Sequence, residues 1–285
     1  MPRGLWLGLL VLAASFVSAA DTLSSGAPDS PPAGVLTLDL GATAASRLMN
    51  GPTVVDRQSN ASTQVSFIQR RSLHGPLYWN AGFFGELYTF SNAHDFPLHQ
   101  LQGYAAQFSI EYFRKAEPAA YLKIRPGFYF ENRPVLSAWD VPVEAVSGIP
   151  LRPDLNGVIG FSNGRFYHHA FPIVGLTWLI EERVQLNALY PEPSVSFQPG
   201  ENLEYKLAGQ LTGDGFKTDS SPYASRVEYH EYRIGGWVTF RLLPEWKVSG
   251  GAGVEWRRVF DFYRQGARLD TGGSPFIHLG LEYSH

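Results

Sequence analysis

The chain has 285 residues, of which 17% are charged and 14% aromatic, and its formal net charge is −3. This balance gives no electrostatic reason to expect a nucleic-acid partner. The sequence contains no cysteine, which excludes disulfide bonds and thiolate metal sites.

The first twenty residues have the pattern of a targeting segment. Arg3 supplies a positive start, Leu5 to Phe16 form an apolar run, and small residues at 17–20 offer a cleavage site. The apolar run is too short for a permanent transmembrane helix, and no stop-transfer stretch follows it. We therefore predict a signal peptide at residues 1–20 and export of the mature chain.

Residues 21–61 are rich in serine, alanine, glycine, proline and threonine, and they include SSGAPDSPPAG. A segment with so little to bury is typical of a linker. We predict a flexible N-terminal segment over 21–61, in which GVLTLDL forms at most an isolated strand.

From residue 62 onward, apolar and polar residues alternate with a period of two, which is the pattern of β-strands. The clearest examples are YAAQFSIEYF, AYLKIRPGFYFE, YRIGGWVTFRL, WKVSGGAGVEW and FIHLGLEYSH. A soluble antiparallel sheet with one wet face also alternates in this way. Several segments, however, are longer than an ordinary soluble strand.

The positions of the aromatic residues favour a membrane barrel over a soluble sheet. Trp246 and Trp256 lie ten residues apart on one predicted face. That spacing is about 33 Å along a strand. On a tilted strand it projects to about 25 Å, the height of the apolar band of an outer-membrane barrel. We predict an all-β fold, a closed antiparallel transmembrane β-barrel over residues 62–285.

The predicted connections alternate between long and short, as expected when barrel loops are long outside and short in the periplasm. Counting strands from Leu77 gives about twelve, within a range of ten to fourteen. Fourteen requires that both GVLTLDL and QVSFIQR pair with the barrel.

These features together resemble Gram-negative outer-membrane β-barrel proteins. More narrowly, FPIVGLTWLIEERVQLNALYPEPSVSF resembles an outer-membrane barrel family of unknown function, through a P-x-x-G-x-x-W strand and a P-x-P hairpin. The matching residues are Pro172, Gly175, Trp178, Pro191 and Pro193. The chain departs from the usual aromatic C-terminus, because two residues follow Tyr283.

The resemblance implies a location in the bacterial outer membrane, but it implies no activity. It also implies contact with outer-membrane lipid, and with the barrel-assembly machinery during biogenesis. No cofactor, metal or nucleic-acid partner is expected, and the oligomeric state stays open.

The two faces of the predicted strands give two sets of site residues. The polar phase predicts residues that line the lumen: Glu86, Glu111, Lys123, Arg125, Glu131, Arg233, Arg241, Lys247, Glu255, Arg257 and Glu282. The apolar phase predicts aromatic residues of the membrane girdle: Trp246, Trp256, Tyr104, Tyr112, Phe130 and Tyr283.

Two polar segments are candidate sites of chemistry. GFSNGRFYHH, at 160–169, is similar to the H-x-S-N motif of outer-membrane lipid hydrolases, but Gly160 stands where the histidine base is needed. We therefore interpret Ser162 as part of a loop tip. His94, Asp95 and His99 share one loop, at a spacing that matches no defined metal site.

The leading functional hypothesis is a non-enzymatic protein, either a narrow, porin-like channel for small solutes or a structural barrel. Charges of both signs line the predicted lumen, so an open pore and a plugged interior both remain possible. The alternatives are a lipid-modifying hydrolase built around Ser162 and a secreted β-sandwich that binds carbohydrate through its aromatic residues.

Overall fold

The computed structural model describes residues 31–91, 96, 98–114, 117–166, 171–219, 225–263 and 267–285. The predicted signal peptide lies outside these ranges. Within them no helix is long and apolar enough to cross a membrane. The strands are β1 Gly34–Asn50, β2 Thr53–His74, β3 Leu77–Phe90, β4 Gln100–Arg114, β5 Glu117–Ile124, β6 Gly127–Phe130, β7 Trp139–Asp140, β8 Val143–Arg152, β9 Leu155–Asn163, β10 Phe171–Glu181, β11 Val184–Tyr190, β12 Ser194–Gly200, β13 Leu203–Thr212, β14 Gly215–Lys217, β15 Arg226–Leu243, β16 Trp246–Phe262, β17 Ala267–Thr271 and β18 Ser274–Ser284, with one 3-10 turn at Leu136–Ala138.

Fourteen of these strands close into one antiparallel barrel. Each long strand pairs with the next along the chain, and β18 returns to pair with β1 from Val35–Ser284 to Thr43–Phe276. The short strands β6, β7, β14 and β17 extend the wall beyond this ring. The predicted closed barrel is confirmed, and the β-sandwich alternative is wrong because the strands form one continuous sheet.

The strand count of about twelve is too low, because β1 and β2 are also part of the wall. They contain the GVLTLDL and QVSFIQR segments that fourteen strands required. The expectation of a flexible segment extending to residue 61 is therefore wrong for residues 34–61. Polar residues here face the interior, where Thr37 and Ser66 share a hydrogen bond of 3.1 Å between their hydroxyls. A low apolar content is compatible with a strand whose inner face is polar.

The two ends of the barrel differ in the length of their connections. We call the end that carries Gly34 and His285 the terminal end, and the opposite end the far end. Short connections lie at the terminal end, at 75–76, 153–154, 182–183, 201–202 and 244–245. The far end carries the long connections at 91–99, 125–142, 164–170, 213–225 and 263–273, and the short ones at 51–52 and 191–193. This arrangement agrees with the predicted alternation.

A β-bulge in β16 changes which side chains face inward. Arg233 pairs with Glu255, but the preceding Tyr232 pairs with Arg257, so one extra residue is inserted into β16. Beyond this point the interior positions of β16 shift from odd to even numbers. Arg257 therefore points outward, where it is exposed and pairs with Asp270. Its prediction as a lumen residue is wrong, and the neighbouring Arg258 takes the interior position.

Candidate functional site

The interior of the barrel is the candidate functional site, and its far-end third is packed with apolar side chains. Most of these are aromatic, and they contact one another edge to face, as Tyr88 and Tyr229 do at 5.0 Å between ring centroids. Packing of this kind leaves little room for solute in the observed conformation. The cluster consists of Leu48, Phe84, Tyr88, Phe90, Phe96, Leu98, Leu101, Ala105, Tyr129, Phe216, Val227, Tyr229, Phe260, Phe262 and Leu269.

A loop arginine enters this apolar region from the far end. Arg165 follows β9, yet its side chain is buried and ion-paired with Glu86 of β3. Its Nε lies 3.4 Å from a carboxylate oxygen of Asp214, which follows β13. The guanidinium also stacks on Tyr129, 4.0 Å from the ring centroid. We call Arg165, Glu86, Asp214 and Tyr129 the Arg165 cluster.

The backbone around Arg165 is also held inward. The Arg165 N–H donates to Asp214 at 2.8 Å, and the Phe166 N–H donates to Asp140. Phe166 has a φ of 58°, which is an uncommon conformation for a residue with a side chain. Burial alone would lower the pKa of Arg165, but the carboxylates of Glu86 and Asp214 raise it above its ordinary value. The guanidinium therefore stays charged, and the loop is fastened to two sides of the lumen.

Beneath the aromatic packing lies a second charged group, which we call the Arg258 cluster: Arg258, Glu231, Glu255, Arg233 and Asn60. Arg258 Nη2 lies 2.9 Å from Glu255 Oε1 and donates to Asn60 Oδ1 at 2.8 Å. Arg233 pairs with Glu231. The two arginines and two glutamates balance in charge, and both glutamates are fully buried on the interior side of the wall.

Closer to the terminal end, an aromatic pair projects into the lumen. Trp237 and Phe276 have ring centroids 5.9 Å apart, and Arg233 lies 5.1 Å above the Phe276 ring. The indole of Trp237 occupies the space that a side chain at Gly251 would fill, since a Cβ there would come within 2.4 Å of the ring. Gly251 therefore lets Trp237 lie flat against the wall.

We expect Gly251→Ala to lower the free energy of unfolding by about 1–3 kcal/mol, because the new methyl group overpacks against Trp237. Gly250 is the matched control. It faces outward, and nothing lies within 4 Å of a Cβ at that position. Gly250→Ala should be neutral or stabilising by about 0.4–1 kcal/mol. Denaturant unfolding of the folded barrel measures both, and equal effects would contradict the placement of Trp237.

Toward the terminal end, several of the remaining interior charges form ion pairs between strands. Arg70 pairs with Glu111 at 2.9 Å, Lys123 with Glu144 at 3.0 Å, and Lys247 with Glu282 at 2.9 Å. His278 and Asp39 lie 2.9 Å apart on β18 and β1. Paired charges of this kind give the lumen no strong preference for either sign of ion.

The opposite wall of the lumen, β9 to β12, differs in chemistry. No residue at its interior positions is charged among those the structure describes, and several are glycine, serine or asparagine. Small, uncharged side chains leave space beside the paired charges on the other wall. The interior positions are Asn156, Val158, Gly160, Ser162, Phe171, Ile173, Gly175, Thr177, Leu179, Gln185, Asn187, Leu189, Ser194, Ser196 and Gln198.

The predicted lumen residues other than Arg257 occupy interior positions. Glu86 and Glu255 belong to the two charged clusters, and Glu131 is buried at the far end, where it accepts a hydrogen bond from the Asp219 N–H at 2.9 Å. Arg125 donates to Gln107 at 2.8 Å. Glu111, Lys123, Arg233, Lys247 and Glu282 form the pairs given above, and Arg241 shares their interior phase on β15.

Most of the predicted girdle residues lie on the outer surface. Trp256 is 69% exposed, and Tyr104 and Tyr112 are also exposed. Trp246 and Tyr283 pack together near the terminal end, with ring centroids 4.8 Å apart. Phe130 is the exception, because it is only 5% exposed and packs against Tyr104. Its prediction as a surface girdle residue is therefore wrong, since neighbouring chain covers it.

Sequence reasoning missed the two arginines that organise the interior. Strict alternation along β16 would place Arg258 on the outer face, because the sequence gives no sign of the bulge before it. Arg165 lies in the SNGR turn, where nothing in the sequence indicates that the loop folds inward. The alternation of polar residues could have indicated two further interior glutamates. Glu231 lies two residues before Arg233 on β15, and Glu144 lies at an inner position of β8.

Among the described residues, neither the candidate hydrolase site at Ser162 nor the candidate metal site at His94, Asp95 and His99 has the partner residues that it would need. Ser162 faces the lumen at a position paired with Glu144 on β8, and the nearby His168 and His169 lie outside the described residues. His94 and Asp95 also lie outside them. In the part of the chain that is described, no group of three or more histidines and carboxylates is arranged to hold a metal ion.

Ser162→Ala should leave acyl release from phospholipid unchanged from background, because no described histidine lies in position to activate the hydroxyl. The measurement is release of labelled fatty acid from mixed micelles by purified, folded protein. Activity in the wild type that disappears in this variant would establish the hydrolase alternative instead.

Comparisons with known proteins find similarity in structure but not in sequence. No family model and no curated protein matches the chain. An outer-membrane channel from Pseudomonas putida F1 is 8% identical, with 91% of this chain and 97% of that chain covered and a TM-score of 0.49. The monoaromatic hydrocarbon channel TodX is 10% identical, with 90% of each chain covered and a TM-score of 0.47. The KdgM porin is 11% identical, with 87% and 99% covered and a TM-score of 0.31. At these scores the similarities do not bear on solute or mechanism.

Proposed function

We propose that the protein is a non-enzymatic barrel of the bacterial outer membrane that forms a narrow pore for small solutes. The observation that carries the proposal is the closed wall of fourteen strands, which is apolar outside and, below the apolar packing of its far end, mostly polar within. Only helices and closed barrels satisfy every backbone group in a bilayer.

The outer surface supports the membrane part of the proposal. Large apolar side chains are exposed all around the wall, including Ile159, Leu176, Leu207 and Ile277. Aromatic residues occur near both ends, with Trp246 at the terminal end and Trp256 toward the far end. In a membrane the terminal end, with its short turns, faces the periplasm and the far end faces outward.

The interior supports a pore that is closed in the observed conformation. Its paired charges and uncharged wall suit small solutes of either charge, whereas the apolar packing and the Arg165 cluster block the far end. Opening therefore requires that the loop after β9 withdraw and that the apolar packing around Arg165 loosen. The second candidate function is a structural barrel without a pore. The apolar packing at the far end favours this function if the loop after β9 stays in place.

Two measurements test the proposal. Folded protein should run differently on a gel before and after boiling, and it should insert into planar bilayers and show discrete conductance steps. An unshifted band from soluble protein would overturn the membrane assignment. If both the wild type and a variant without the Arg165 cluster insert into the bilayer but show no conductance, the pore proposal is overturned. The structural barrel then remains as the explanation.

A further inference from the structure

An apolar notch opens on the outer wall where the strand pairing is irregular. It has a volume of about 410 Å³ and is lined by Ile234, Val254, Trp256 and Gly273. The notch exists because β17 ends at Thr271 and β18 begins at Ser274, opposite the bulge in β16. Gly273 contributes no side chain to fill it. A depression of this size is in the range that binds small ligands.

Four arginines lie on the outer face immediately beyond the notch, toward the far end. Arg257 follows Trp256 and makes two hydrogen bonds to Asp270, at 3.1 and 2.8 Å, and Arg268 Nε lies 3.6 Å from the same carboxylate. Arg47 accepts a backbone hydrogen bond from Gly272 at 3.1 Å, and Arg57 is its cross-strand partner.

The patch formed by these arginines carries an excess of positive charge. Arg257 and Arg268 share one carboxylate, and their side chains stay 44% and 50% exposed. Asp261 is the cross-strand partner of Arg268, and Glu228 is the partner of Asp261 on β15, so both are further acids on the outer face at this level. Four guanidinium groups therefore face three carboxylates, those of Asp270, Asp261 and Glu228, on the outer surface. Arginine recognises phosphate through paired donors.

We propose that the notch and the arginine patch together bind an anionic, phosphate-bearing membrane lipid. One acyl chain lies in the notch against Trp256, and the phosphate is held by Arg257 and Arg268. The inference rests on the proposed membrane location. Charge complementarity supports it, and so does depth, because tryptophan marks the lipid boundary and basic residues just beyond it lie at headgroup level.

The test measures which lipid stays with the barrel. Folded protein is reconstituted into vesicles of equal parts phosphatidylglycerol and phosphatidylcholine, extracted in mild detergent, and the retained lipids are quantified by mass spectrometry. The wild type should retain phosphatidylglycerol preferentially. Each arginine near a lipid surface contributes about a fivefold preference for anionic lipid, so R257Q/R268Q should reduce the preference by up to about twenty-five-fold.

Two further variants separate lipid binding from a structural role. Asp270→Asn frees both arginines and should raise the preference for phosphatidylglycerol. If the ion pair had only a structural role, its loss would not raise this preference. Trp256→Ala should lower retention of both lipids, because the notch loses its largest wall. Arg152→Gln is the matched control, since Arg152 also forms an exposed pair with an aspartate, Asp154 at 2.9 Å, but near the terminal end.

The outcomes distinguish this inference from the proposed function. Protein that shows no gel-mobility shift and does not insert into vesicles contradicts the membrane location itself. Protein that inserts normally but retains both lipids equally, or whose preference is unchanged in R257Q/R268Q, overturns the lipid site alone. Complete displacement of phosphatidylglycerol by added inorganic phosphate, with no effect of Trp256→Ala, would show an anion site without an acyl-chain component and would also overturn it.

Discussion

Arg258→Met is expected to lower the free energy of unfolding by about 3–5 kcal/mol, because it leaves the two buried carboxylates of Glu231 and Glu255 to share the single positive charge of Arg233. Both carboxylates and Arg258 itself are 0% exposed, so water does not replace the lost interaction. Methionine keeps most of the volume of the side chain, so the effect reports charge rather than a cavity. Denaturant unfolding of the barrel in lipid vesicles, followed by tryptophan fluorescence, measures it.

The adjacent arginine provides the control. Arg257 lies one residue away on the outer face, in an exposed pair with Asp270, and exposed pairs contribute about 0–1 kcal/mol. Arg257→Met should therefore change stability little. In an E231Q/E255Q background the cost of Arg258→Met should also fall, because the uncompensated charges are gone. Equal costs for the two arginines would contradict the placement of Arg258 in the interior and of Arg257 on the outer face.

Arg165→Ala is expected to convert a mostly closed channel into one with frequent, long openings. The substitution removes the ion pairs to Glu86 and Asp214, and it leaves those two carboxylates without the guanidinium that joins them. Breaking a buried pair costs about 3–5 kcal/mol, which shifts a closed–open equilibrium by about two to four powers of ten. Single-channel recording in planar bilayers measures the open probability.

Two further variants make the conductance result specific. Arg165→Lys keeps the charge but loses the planar stacking on Tyr129, so its open probability should fall between those of wild type and Arg165→Ala. Arg152→Ala removes an exposed pair near the terminal end and should leave gating unchanged. An Arg165→Ala channel that opens no more often than the wild type would show that the aromatic packing, and not the loop, closes the far end.

The barrel could be predicted from sequence because its main signal repeats along the whole chain. Alternation in YAAQFSIEYF or FIHLGLEYSH says little alone, but the same period with aromatic ends recurs in strand after strand, and the structure confirms the result. The first two strands could not be recognised as part of the barrel, because β1 and β2 carry threonine, serine and asparagine on their inner face. Their composition resembles a linker until the lumen supplies hydrogen-bond partners such as Ser66 for Thr37.

The interior chemistry was harder to predict, for two physical reasons. A single inserted residue before Arg257 exchanges the two faces of β16, and nothing in WKVSGGAGVEWRRV marks its position. The depth of a loop is likewise set by contacts from distant strands. Arg165 is drawn inward by Glu86 and Asp214, which lie 79 and 49 residues away along the chain. Only the folded wall brings these groups together.

The seam between β1 and β18 has a consequence for how the molecule reaches its native state. Gly34 and His285 exchange two backbone hydrogen bonds of 3.0 Å, although nearly the whole polypeptide separates them. Until that contact forms, the incomplete barrel has two unpaired edge strands, which can pair with a strand of another copy of the chain. Folding is therefore intrinsically slow, and the intermediates are prone to aggregation. It is completed when the strands that lie furthest apart in the sequence, β1 and β18, pair with each other.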